Sequence, residues 1–188
     1  MENEGDIILG IDPGTLVMGY ALLKTNAVKS ELITLDVLTI KHIDNQPAKL
    51  KLIFEFVQQL IDQYHPNILA IEAPFLGKSA QSMLKLGRAQ GVVIAASINK
   101  GLEINEYSPR KIKMSVTGNG NAAKEQVSAM LHRMYTIPDD IKYFDATDAL
   151  AVAVCHHLQN RVQLGTRQQH FSGWESFLSK NADRIVKK

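Results

Sequence analysis

Cysteine occurs once in the 188 residues, at Cys155, so no intrachain disulfide can form and no zinc set with cysteine partners is available. A small buried residue on a helix is the reading that Cys155 supports. Long apolar runs are missing as well. A membrane-crossing helix needs roughly 18 or more apolar residues in succession, so no membrane span is expected. The opening Met1-Glu2-Asn3-Glu4-Gly5-Asp6 is acidic, and the apolar stretch behind it is too short for a secretory leader. A cytoplasmic location is therefore the expectation. Internal repeats and low-complexity linkers are absent too. What remains, with 45% apolar residues, suits one compact domain of ordinary size.

The net charge of +2 conceals alternating blocks. Residues 1–77 carry ten carboxylates against five Lys and Arg, whereas residues 78–124 carry eight Lys and Arg against two carboxylates. Residues 125–160 return to −3 and residues 161–188 to +4. Alternation of this kind is also compatible with solvated surface. It points to a polyanion only if the acidic blocks hold metal ligands, because phosphodiester cleavage needs both a cation site and phosphate-contacting cations.

Ile7-Ile8-Leu9-Gly10-Ile11 reads as a buried strand that ends in the turn Asp12-Pro13-Gly14-Thr15. Gly19 to Leu23 and Leu32 to Ile40 complete an antiparallel meander. From Pro47 the period changes to helical, with Leu50, Ile53, Val57, Leu60, Ile61 and Tyr64 on one face. Ile68-Leu69-Ala70-Ile71-Glu72 is a second buried strand ending on a carboxylate. Ser79 to about Asn99 predicts a helix with Gly87, Ala89 and Gly91 suited to close packing, and Leu102 to Tyr107 a last strand. Helices follow from Pro109 to about Val116, from Ala123 to Met134 and from Asp145 to about Asn160. The order predicts an α/β fold, a mixed five-stranded sheet with helices on both faces; it matches the ribonuclease H-like arrangement, while periodicity alone leaves other α/β topologies open. Residues 1–160 form the domain, and 161–188 a polar, basic tail with Trp174 among its few large apolar residues.

Four carboxylates stand where chemistry could use them. Asp12 and Glu72 end two predicted strands, and Asp145 and Asp148 lie one turn apart at a helix start, on one face. If the strands are neighbours, the four converge at one sheet edge. Hard divalent cations take oxygen ligands, and a pair of them can activate water against a phosphodiester with no protein nucleophile. Taken singly, Asp12 also suits a turn cap and the two aspartates a helix N-terminus. Glu72, closing an apolar strand before Ala73-Pro74, has no capping task. Lys113 and Lys124 flank Gly118-Asn119-Gly120-Asn121 and could stabilise developing charge, or be ordinary exposed lysines. Phe75 could stack on an unpaired base or plug the core.

Ile8-Leu9-Gly10-Ile11-Asp12-Pro13-Gly14-Thr15 with Gly19-Tyr20, then Leu84-Lys85-Leu86-Gly87-Arg88-Ala89-Gln90-Gly91, follow in an order that resembles the RuvC family of Holliday junction resolvases. Glu106-Tyr107-Ser108-Pro109-Arg110 with Lys113, Ala123-Lys124-Glu125-Gln126-Val127 and Asp145-Ala146-Thr147-Asp148-Ala149-Leu150-Ala151 continue the resemblance, which spans about residues 7 to 158. It implies a homodimeric, Mg2+-dependent enzyme, with two ions per site and Mn2+ able to substitute, that nicks four-way junction DNA symmetrically. It also implies a branch-migration helicase as partner. Asp12, Glu72, Asp145 and Asp148 match the family's metal-binding carboxylates, Lys113 and Lys124 its active-site lysines, and Phe75 an aromatic near the junction centre. Phe75, Lys78, Lys85, Arg88, Arg110 and Lys111 are the candidate DNA contacts. Ala73-Pro74 departs from the family's usual residues after the glutamate.

Two other functions compete with this reading. An actin-like ATPase or sugar kinase fragment shares the strand and the Asp-x-Gly-Thr turn, but needs a second comparable domain and a second glycine-rich loop. An inert junction-binding module would be expected to lack one or more of the four carboxylates.

Overall fold

The computed structural model describes residues 5–26, 29–73, 79–138 and 143–166. Phe75, Lys78 and all of the basic tail beyond Thr166 lie outside the described residues. Strands β1 (Ile7–Asp12), β2 (Val17–Thr25) and β3 (Ser30–Thr39) form the meander. Helix α1 (Gln46–Tyr64), strand β4 (Ile68–Glu72), helix α2 (Ala80–Asn99) and strand β5 (Glu103–Tyr107) follow. Helices α3 (Pro109–Thr117), α4 (Lys124–Met134) and α5 (Phe144–Thr166) complete the described elements. The sheet order is β3-β2-β1-β4-β5. β1 runs antiparallel to β2 but parallel to β4, and β4 parallel to β5.

Alternation along the strands builds two cores. Leu9, Ile11, Leu69 and Ile71 face one way, onto Ile53, Val57, Leu60 and Ile61 of α1 and Ala89, Val93 and Ala96 of α2. Ile8, Ile68 and Ala70 face the other way, onto Ile112, Val116, Val127, Leu131 and the apolar run of α5. Because successive side chains point to opposite faces, Asp12 continues the row of Ile8 and Gly10, and Glu72 that of Ile68 and Ala70. Both acids therefore emerge on the α5 side.

Local signals fix the helix ends. Asn45 caps α1 by accepting from the Ala48 N–H at 3.2 Å, and His65 closes it in the left-handed region before Pro66. Ser108 and Pro109 start α3, and Gly118 stops it at φ 75°. Helix α5 continues to Thr166, six residues beyond Asn160 and into the segment read as tail.

Helix α5 is buried nearly all round, from Ala149 to Cys155. Cys155 is a core residue, its thiol 3.3 Å from the Ser115 hydroxyl. A buried polar chain also joins α5 to β5. Asn160 Nδ2 donates to His156 Nε2 at 2.9 Å, which leaves the ring proton on Nδ1, 2.8 Å from the Tyr107 hydroxyl. Burial pushes the Tyr107 hydroxyl up to about 12 and pulls His156 below the usual histidine range. A histidine lowered in the folded state stabilises fully above its unfolded pKa and loses that contribution as pH falls. The stability difference between the wild type and His156→Gln should accordingly shrink between pH 7.5 and 5.5 in denaturant titrations. A gap that does not change with pH would mean that His156 does not titrate against folding.

Candidate active site

One cleft on the α5 side, of about 370 Å³, gathers residues from five elements. Asp12 of β1, Glu72 of β4 and Asp148 of α5 line it together with Lys113 of α3 and Lys124 of α4. Pro109, Ile112, Val127 and Ala151 make its apolar wall. Asp145, one turn before Asp148, does not line this cleft, but it is near enough to act on Asp12 and Lys124 through its charge.

Two glycines bring α5 so close. Gly19 pairs with Asp12 across β1 and β2, and a methyl group there would overlap the Asp145 carbonyl. At Gly10 it would overlap the Ala149 carbonyl and crowd Ala153. The helix backbone thus rests directly on the strands, and its first turn lies beside the end of β1.

The electrostatics show acids crowded together. Burial, then Glu72 and Asp148, hold the Asp12 carboxyl well above the usual carboxylate range, with Lys124 drawing it partly back. Glu72 is also raised, by burial and by Asp148, against the pull of Lys124 and Lys113. Burial pulls Lys124 down, but its bond to Asp148 and the charges of Asp148, Asp12 and Asp145 more than offset this. Lys124 Nζ lies 2.5 Å from Asp148 Oδ2, a short charge-assisted contact. Lys49 of α1 holds the turn after Asp12 from outside, its ammonium donating to the Thr15 carbonyl at 3.2 Å.

The donor chemistry fits hard divalent cations, since the acidic side chains of the cleft offer only oxygen. The arrangement is open: among the described residues no group of three His, Cys, Asp or Glu is disposed to hold an ion outright. Magnesium suits such a site, because it usually keeps several waters and takes one or two carboxylates plus substrate phosphate oxygens.

The remaining sequence candidates lie elsewhere. Lys85 and Arg88 are exposed on α2, which packs on the other sheet face. Exposed Arg110 lies against Gly120 of the Gly-Asn-Gly-Asn loop, and Lys111 sits over the Tyr107 ring, 5.2 Å from its centroid. The sequence reading gave no role to Gln90, Glu106 or the Tyr107–His156–Asn160 chain. A glutamine among the apolar positions of α2 was the signal available.

The sequence model described as crossover junction endodeoxyribonuclease RuvC matches residues 8–156. The chain belongs to the RuvC family. It is 50% identical to the crossover junction endodeoxyribonuclease RuvC of Cytophaga hutchinsonii over 95% of this chain and 88% of that one. With the same enzyme of Bacteroides fragilis it shares 49% identity over 95% of both chains. Among solved structures, T. thermophilus RuvC in complex with Holliday junction substrate superposes with a TM-score of 0.77. That match has 26% identity and covers 84% of this chain and 96% of that one. The yeast mitochondrial Holliday junction resolvase Ydc2, at 12% identity and a TM-score of 0.67 over 87% of this chain and 83% of that one, shares the fold. As a RuvC-family member the chain is a nuclease, a hydrolase, with the ribonuclease H-like fold. Among the described residues no helix is long and apolar enough to cross a membrane.

Proposed function

We propose that this protein resolves four-way DNA junctions by symmetric phosphodiester hydrolysis, and that the carboxylate cleft is its catalytic centre. The observation that carries the reading is the convergence of Asp12, Glu72 and Asp148 with two lysines in one cleft of a RuvC-family chain. Asp12, Glu72, Asp145 and Asp148 would hold divalent cations, Mg2+ foremost and Mn2+ able to substitute. Two such ions would supply an activated water and stabilise the departing oxygen. The crowding that raises Asp12 and Glu72 favours capture of positive charge, because a cation relieves the repulsion that burial intensifies. Lys113 and Lys124 serve the phosphate, where negative charge develops during displacement. The apolar wall limits the water around these groups, which strengthens each electrostatic contact.

Paired nicks require two sites, and we assign a homodimer. The exposed stripe of α2, with Leu84 63% and Ile98 60% accessible and open space above Gly87 and Gly91, supports it. The domain 1–160 carries the chemistry, and the basic tail 161–188, with Lys85, Arg88, Arg110 and Lys111, contributes phosphate contacts. Phe75 is assigned to stacking on a base at the junction centre, and Lys78 to a phosphate contact. A branch-migration helicase is the assigned partner and the cytoplasm the location.

A synthetic four-way junction, labelled on each strand in turn, tests the proposal. With Mg2+ the protein should leave symmetric, ligatable nicks, and chelation should stop cutting. Lys124→Ala should lower the single-turnover rate by about 10²–10³, the range for loss of one group that stabilises developing charge, with affinity changed only a few-fold. Tight binding without cutting at any divalent cation concentration would instead identify an inert junction-binding module.

A further inference from the structure

The peptide that carries Glu72 is held from the sheet face opposite the cleft. Gln90 sits on α2 between the buried Ala89 and Val93 and is only 3% exposed. Its Nε2 lies 3.3 Å from the Glu72 carbonyl oxygen and 3.0 Å from Glu106 Oε2. An amide NH2 has two hydrogens, so it can serve both acceptors at once. The carboxylate also fixes which way the amide is turned, since a flipped amide would set its own oxygen against two others. At this level the sheet is running out of donors. The Ala73 N–H still bonds to the Tyr107 carbonyl of β5 at 2.9 Å. β1, however, ends at Asp12 and continues into Pro13, which has no N–H to give.

We propose that Gln90 is a positioning residue for Glu72, with Glu106 orienting it, so that α2 sets the direction in which Glu72 enters the cleft. This rests on the reading of Glu72 as a cation-binding acid. The bond at the Glu72 carbonyl fixes the rotation about the Cα–C bond of that residue. That rotation relates the Glu72 side chain to the point where the chain leaves β4. The same helix presents Leu84, Gly87, Gly91 and Ile98 on its exposed side. A shift of α2 would therefore be transmitted to one acid of the cleft through a single amide.

Gln90→Leu removes both hydrogen bonds and keeps an apolar side chain in the core. Outer-shell partners of metal ligands typically contribute 10–100-fold to affinity or activity. Mn2+ binding to the DNA-free protein, followed by electron paramagnetic resonance, should weaken by about that factor. Single-turnover cleavage at fixed Mg2+ should fall in parallel, with junction affinity in Ca2+ within about twofold because phosphate contacts are made by other groups. The exchange Gln90→Glu with Glu106→Gln separates positioning from packing. Measured at a pH where the carboxyl at position 90 is ionised, it restores a hydrogen bond between positions 90 and 106 but leaves the Glu72 carbonyl without a donor. The double variant should stay defective in Mn2+ binding and cleavage while recovering thermal stability toward wild type. Glu106→Gln alone keeps an acceptor and should stay close to wild type. Wild-type Mn2+ binding in Gln90→Leu, or full recovery of it in the double variant, would overturn the proposal. Glu72→Gln, run alongside, keeps the premise distinct: if that variant cuts and binds Mn2+ normally, the reading of Glu72 fails, whatever Gln90 does.

Discussion

Asp12→Asn should abolish junction cleavage and, at the same time, raise the thermal midpoint of the metal-free protein. The loss of rate should exceed about 100-fold, since removing even an outer-shell partner of a metal ligand costs 10–100-fold. The gain in stability follows from the sign of the shift. Burial and the neighbouring Glu72 and Asp148 raise Asp12 in the folded chain, so its ionised form is penalised there relative to the unfolded chain. An uncharged side chain of the same shape removes that penalty. For the same reason the contribution of Asp12 to wild-type stability should improve as pH falls through its raised folded pKa toward the unfolded value, and the variant should lack this component. Mg2+ should raise the melting temperature of the wild type, by mass action on the folded state, and raise that of Asp12→Asn much less. Near-normal cutting by the variant, with an unshifted midpoint, would remove Asp12 from the catalytic centre.

The second large effect is expected at Gly19. A methyl group there meets the Asp145 backbone carbonyl, which cannot swing aside as a flexible side chain could, so α5 must lift from β2. Overpacking a filled core costs about 1–3 kcal/mol, and a misplacement of roughly 1 Å can cost about 10²-fold in rate. Gly19→Ala should show both losses, in thermal melts and in single-turnover cleavage. Wild-type stability and rate in Gly19→Ala would show that α5 does not need its close seat on the sheet.

Much of this was legible in the sequence because the signals are local. Short continuous apolar runs, Ile7 to Ile11 and Ile68 to Ile71, mark buried strands that end on acids, and Pro47 and Pro109 mark helix starts. The strand order was not legible. That β4 lies beside β1 is a long-range pairing, and the proximity of Asp12 and Glu72 depends on it. The extension of α5 past Asn160 escaped because residues 161–166, Arg-Val-Gln-Leu-Gly-Thr, lack a clear apolar period. Sequence spacing set Asp145 and Asp148 on one helical face, yet Asp148 lines the cleft and Asp145 does not. One turn of helix is a displacement along the axis that periodicity does not weigh. Gln90 was visible only as a polar residue on an apolar face, and its partners Glu72 and Glu106 lie on two different strands.

The seating of α5 has one more consequence, for how the protein breathes. Asp145 and Asp148 lie on the first turns of the helix whose Ala149 to Cys155 segment is an unbroken run of buried residues. Segments so enclosed open only with the whole domain, whereas lightly packed ones open by local fluctuation. Lys124 starts a different helix, three residues after the Gly-Asn-Gly-Asn loop. Within a single cleft, Asp148 therefore stands where an enclosed helical segment begins and Lys124 near an exposed loop, so amide exchange is expected to be slower along Ala149 to Cys155 than around Lys124.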